Sequence, residues 1–100
     1  MTVTENKTNM FLEIVTPEET LYSGEVESVS VPGMDGDFQM LDNHAPIVSL
    51  LSDGTVKIFG NVELKPAVAD KFTKGNGTTD FKIKGGVLEM KDNKAIVLAD

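Results

Sequence analysis

The sequence predicts an all-β domain, a sandwich or flattened barrel, on three observations. Apolar and polar residues alternate in short runs. Clusters of Gly, Pro, Asn and Asp separate those runs at intervals of about 8 to 12 residues. No stretch carries the 3.6-residue apolar period over the ten or so residues that an amphipathic helix needs.

Taken in order, residues 1–9 (MTVTENKTN) are mostly polar and without period, which predicts a frayed tail before a domain at residues 10–100. Met10–Val15 reads as a strand with Leu12 and Ile14 on one face, stopped by Pro17. Residues 16–24 read as a connection with a short strand at Leu21 and Tyr22. In residues 25–31 (EVESVSV) the alternation slips by one between Val26 and Val29, which predicts a β-bulge near Glu27 and Ser28.

Gly33 and Pro32 end that strand, residues 34–37 turn, and Phe38 and Met40 share a face in the next. Ile47–Leu51 is apolar on nearly consecutive residues, predicting burial on both faces or a barrel corner. Ser52, Asp53 and Gly54 read as a tight turn before an alternating strand with Val56 and Ile58 inward. Val62 and Leu64 repeat that pattern beyond a turn at Gly60 and Asn61. Residues 65–77 are irregular, with one helical turn between Ala67 and Phe72. Strands carrying Phe81 and Ile83, then residues 87–90, then 95–99 complete the chain, interrupted by Gly85 and Gly86 and by the turn KDNK.

Bulk properties narrow the function. One hundred residues make one domain, and 40% hydrophobic with 25% charged residues is an ordinary globular composition. Without cysteine there is no disulfide framework, thiolate metal site or catalytic thiol. Apolar runs are too short for a membrane helix or a signal sequence, so the expected location is cytoplasmic. The net charge is −7 and all nine cations are lysines, which argues against nucleic acid and anionic lipid and for a basic protein partner.

Candidate chemistry centres on Asp35, Asp37, Asp42 and His44. Counting from Asp35, the glycine and glutamate that a calcium loop of the EF-hand type requires are replaced by Met40 and Pro46. With a single histidine, a two-histidine iron site is also excluded. His44 as a general base finds no nucleophile elbow, and Ser49 lies on a strand. Gly85 and Gly86 belong to no phosphate-binding loop and read as a bulge or close strand crossing. The residues alone therefore describe a small acidic all-β binding or structural module, with no catalytic, metal or cofactor site expected.

The strings IVTPEETLYSGEV, PGMDGDFQMLDNHAPIVSLLSDGTV, FKIKGGVLEM and AIVLAD, in this order, resemble the N-terminal β-domain of the epsilon subunit of F-type ATP synthases. The resemblance implies a ten-stranded flattened sandwich that binds the gamma subunit and the polar loops of the c-ring. It further implies a rotor part that couples proton or sodium flow to ATP synthesis without covalent chemistry, peripheral at the inner face of the cell membrane.

Residue by residue, it implies that Asp35, Gly36 and Asp37 face the c-ring, that Thr16 and His44 face gamma, and that Gly85, Gly86 and Glu89 are structural, while backbone chemistry alone makes Gly33, Pro46 and Gly54 structural turn residues. Gln39, Asp42 and Asn43 depart from the family's usual glycine, proline and glycine. Longer members carry a C-terminal helical hairpin where this sequence reaches Asp100, so the resemblance implies a short form that neither inhibits through helices nor binds nucleotide. The alternative, a free-standing β-sandwich module for a ligand or protein, is disfavoured by the absence of Trp and the few aromatics.

Overall fold

The computed structural model describes residues 9–100; the expected tail at residues 1–8 lies outside them. Ten strands form one curled sheet: β1 (Met10–Val15), β2 (Thr20–Val26), β3 (Ser28–Gly33), β4 (Gly36–Met40), β5 (Ile47–Leu51), β6 (Gly54–Phe59), β7 (Thr73–Lys74), β8 (Thr78–Ile83), β9 (Gly86–Lys91) and β10 (Lys94–Ala99). The helical turn is a 3-10 turn at Ala69–Lys71, and no α-helix occurs among the described residues. This is the expected all-β sandwich.

The strand order divides the sheet into two five-stranded layers. The first runs β2-β1-β10-β9-β5 and the second β4-β3-β6-β8-β7, joined by the single pair Gly33 with Leu51. Strands β1 and β10 pair in parallel, Phe11 with Lys94 through Val15 with Leu98, and the other pairs are antiparallel. Both layers feed one core. Leu12, Ile14, Leu88, Ala95 and Val97 come from the first layer and Val29, Val31, Met40, Val56 and Ile58 from the second, all fully buried.

The chain passes between layers four times, from β2 to β3, β4 to β5, β5 to β6 and β8 to β9, and the first and third of these crossings are corners in a nearly continuous strand path. The slip between Val26 and Val29 is real, but it marks the end of one strand and the start of another rather than a bulge. Strand β2 pairs with β1, β3 pairs with β4 and β6, and the Glu27 amide between them donates to the Phe59 carbonyl at 2.9 Å. The ladder irregularity falls instead between Ile14 and Val15.

At the second corner, β5 and β6 both run antiparallel to β3, so Ser52 and Asp53 form a bend in one continuing path and not a hairpin turn. Ser52 fastens the bend to β3: its amide donates to the Pro32 carbonyl at 2.8 Å and its hydroxyl to the Gly33 carbonyl at 3.2 Å.

Residues 61–65 form no strand, contrary to the periodicity. They cross as an irregular strap that sends Val62 into the core and Leu64 against it, with Val68 and Phe72 following. Phe72 stacks on Phe81 with ring centroids 5.2 Å apart. Strand β2 is longer than the short strand expected, because Thr20–Val26 pairs along the whole of β1.

The turn KDNK is a two-residue hairpin with Asp92 and Asn93 both at positive φ (53° and 62°), the combination that matches the natural twist of paired strands. Gly86 adopts φ 154°, and a Cβ there would collide with the Leu98 carbonyl. Substitution Gly86→Ala is expected to cost about 2 kcal/mol or more, lowering Tm by roughly 10 °C.

Burial raises the Tyr22 phenol above its ordinary pKa, with the Glu25 and Glu63 carboxylates adding to the effect. Its hydroxyl donates to the Glu25 carbonyl at 3.1 Å. A raised folded-state value means the unfolded chain ionises first. Stability should therefore fall as pH rises from about 10 through the folded value. Alkaline denaturation monitored by circular dichroism is expected to be shallower in Tyr22→Phe, which loses about 1 kcal/mol at neutral pH for the missing hydrogen bond.

Candidate functional site

Alternation fixes which side chains each strand turns outward. In the first layer the outward rows read Val15, Leu98, Val87 and Leu50 across β1, β10, β9 and β5, and beside them Glu13, Ile96, Glu89 and Val48. Val48 is 70% exposed, Leu50 63% and Leu98 41%. Strand β5 is thus apolar on both faces, as its composition requires, yet it buries only one. The other is laid open.

The outward face of the second layer is different in kind. There Ser30 stands between Gln39 and Lys57, Lys57 pairs with Asp80, and Thr55 pairs with Lys82. Gln39 donates to the Ser28 hydroxyl at 2.8 Å. One face suits water and the other suits protein. The third outward row of the first layer bounds the apolar area with charge: Lys94 contacts Glu13 at 3.6 Å and stands 5.5 Å from the Phe11 ring centroid.

Asp35, Gly36 and Asp37 lie at the β3–β4 turn, all exposed, with Gly36 at φ 123°. They border a shallow groove of about 470 Å³ whose walls include Met34, Phe38, Val48 and Leu50. The acidic turn is therefore continuous with the apolar face. Gly33 ends β3 in close contact with the Phe38 ring, and Gly54 opens β6 against the Pro32 ring.

Thr16 caps the β1–β2 connection: its amide and hydroxyl both donate to the Glu19 carbonyl, at 2.9 and 3.2 Å. It sits beside the aliphatic row, at the rim of a shallow depression with Val87 and Leu98. Gly85 accepts from the Asp100 amide at 3.1 Å nearby.

His44 is at the other end of the strands, since its loop joins the Ile47 end of β5. Its Nδ1 donates to the Ala45 carbonyl at 2.7 Å. Pro46 continues the loop into the apolar edge beside Val48. Asp42 shares this loop and is separated from Asp35 and Asp37 by the length of β4. Among the described residues no group of three His, Asp or Glu side chains converges as a ligand set.

Sequence reasoning missed Asn93. Its side-chain oxygen accepts from the Asn43 amide at 2.6 Å while its side-chain amide donates to the Asn9 carbonyl at 3.0 Å. One residue holds both the histidine loop and the start of the domain.

Residues 9–100 match the family described as ATP synthase, Delta/Epsilon chain, beta-sandwich domain. The chain belongs to this family. It is 39% identical over 89 residues to an ATP synthase epsilon chain of Chlorobium limicola, covering 89% of this chain and 86% of that one. An epsilon chain of Leptospira borgpetersenii is 36% identical over the same length, where this chain spans 59% of the relative. In fold it is similar to a chain in the central stalk and c-ring structure of the Tetrahymena thermophila mitochondrial ATP synthase, with TM-score 0.67 and 18% identity over 96% of this chain and 66% of that one. The resemblance read from the strings above is thereby established at the level of family and fold.

Asn93→Gly keeps the hairpin conformation, which favours glycine, and removes the clasp. Hydrogen exchange at the Asn43 amide is expected to accelerate by roughly tenfold or more, with little change at buried β10 amides.

Proposed function

We propose that this chain is a noncatalytic central-stalk subunit of an F-type ATP synthase, holding the gamma subunit and the c-ring together as one rotating body. The observation that carries the reading is the aliphatic row of Val15, Leu98, Val87 and Leu50 on the outward face of an otherwise complete sandwich. A finished core leaves no internal reason for such a face. Burying one large aliphatic side chain contributes about 1.5–3 kcal/mol, so a few of them at the centre of an interface are enough to anchor a partner.

In this reading gamma covers the aliphatic face, with Thr16 and His44 at its two ends. The acidic turn of Asp35, Gly36 and Asp37 meets basic and polar loops of the c-ring, where carboxylate and cation form charge-assisted bonds. Transmission of torque then needs only a rigid body with two attachment surfaces, and the coupling ion, proton or sodium, passes elsewhere. Among the described residues no helix is long and apolar enough to cross a membrane, which fits attachment to a membrane complex through protein contacts. The chain would lie in the F1 sector at the inner face of the membrane and bind no nucleotide.

Co-purification with the cognate gamma subunit, read by gel filtration and native mass spectrometry, is expected to give a stable one-to-one complex. Leu50→Asp and Leu98→Asp should each weaken it by roughly tenfold or more while the Tm stays within a few degrees. An undiminished complex in both variants would return the face to solvent.

Charge reversal at Asp35 and Asp37 together should release the subunit from membranes that carry the ring but not from isolated gamma. Equal loss from both would show that the turn serves gamma instead.

A further inference from the structure

We propose that Met34 is a site of reversible oxidation that controls attachment of the acidic turn to its partner. The methionines of the described residues fall into two classes. Met10, Met40 and Met90 are at most 1% exposed, locked in the core, whereas Met34 is 65% exposed at the tip of the β3–β4 turn. A thioether is oxidised only where an oxidant can approach its sulfur, so exposure decides the order of reaction. Among the described methionines Met34 stands alone in that respect.

Its position gives the reaction a consequence. Met34 lines the groove together with Asp35, Asp37, Phe38, Val48 and Leu50, where carboxylates and apolar side chains meet. A flexible, polarisable thioether can fill an irregular contact there.

With a peroxide as oxidant, a lone pair on the Met34 sulfur attacks one peroxide oxygen and the O–O bond breaks. The sulfur gains that oxygen and loses two electrons, and the peroxide is reduced to water. The product is a sulfoxide, with a strong acceptor in place of an apolar atom. Among Phe38, Val48 and Leu50 that acceptor must give up its water when an apolar partner surface seats in the groove, at a cost the thioether does not have. A methionine sulfoxide reductase drawing on thiols restores the thioether. The free subunit is thus sensitive to peroxide at its docking edge, while the bound subunit shields the same sulfur.

This inference rests on the rotor reading for its partner but not for its chemistry, and the test separates the two. The intact folded chain is treated with dilute hydrogen peroxide and mapped by peptide mass spectrometry over time. Oxygen is expected on Met34 before Met10, Met40 or Met90, with unchanged circular dichroism; oxidation of Met34 no faster than those three overturns the site.

Treated and untreated chains are then titrated against the purified complex of gamma and c-ring. Roughly tenfold weaker binding is expected after treatment. Sulfoxide reductase should restore it, binding by Met34→Leu should not change on peroxide treatment, and Met34→Gln should bind more weakly than Met34→Leu without any treatment. Equal peroxide sensitivity in Met34→Leu overturns the control role. Failure of the untreated chain to bind overturns the rotor reading and the control role with it, and the peptide map still decides the site.

Discussion

A chain whose side chains alternate from face to face can change layers only by breaking step, and the architecture depends on where that happens. At Glu27 the step is lost between Val26, inward in the first layer, and Val29, inward in the second. At Ser52 and Asp53 it is lost between Leu51 and Val56. Three steps along β3 there match six along the path from β5 into β6, so the extra chain turns the corner. Without these two breaks one layer would point its valines at water.

The same breaks explain what could be read in advance. Strands β1, β6, β9 and β10 were legible because alternation and flanking turns agreed, and nothing tertiary opposed them. The slip near Glu27 was legible as a slip but not as a corner, since one residue out of phase looks the same in a bulge and in a strand that changes partners. Val62 and Leu64 misled because an irregular strap across an open edge also places every second residue inward. The acidic turn and the His44 loop were visible from their glycines and proline. Asn93 was not, because a hydrogen bond across fifty residues leaves no mark on local sequence.

The apolar stretch of β5 was the most informative difference. Composition said that both faces avoid water, and the usual inference is burial by the chain itself. Here the inward face has Leu51 buried while Val48 and Leu50 stand open, and on the rotor reading the second covering is the partner subunit. An open aliphatic face also invites self-association. A net charge of −7 opposes pairing of identical copies. A partner with complementary charge meets no such barrier.

The parallel pairing of β1 with β10 sets the timing of folding in the cell. Strand β1 can form its hairpin with β2 at once, but its other edge waits for a strand that begins at Lys94. At translation speeds of about 5–20 residues per second, that edge stays open for roughly 4–15 s. Through this interval Leu12 and Ile14 have only half of their eventual neighbours, and the nascent chain offers a backbone edge to anything nearby. The sandwich is closed by its last-made strand, so ribosome stalling or truncation before β10 should yield a sticky fragment and not a smaller working domain.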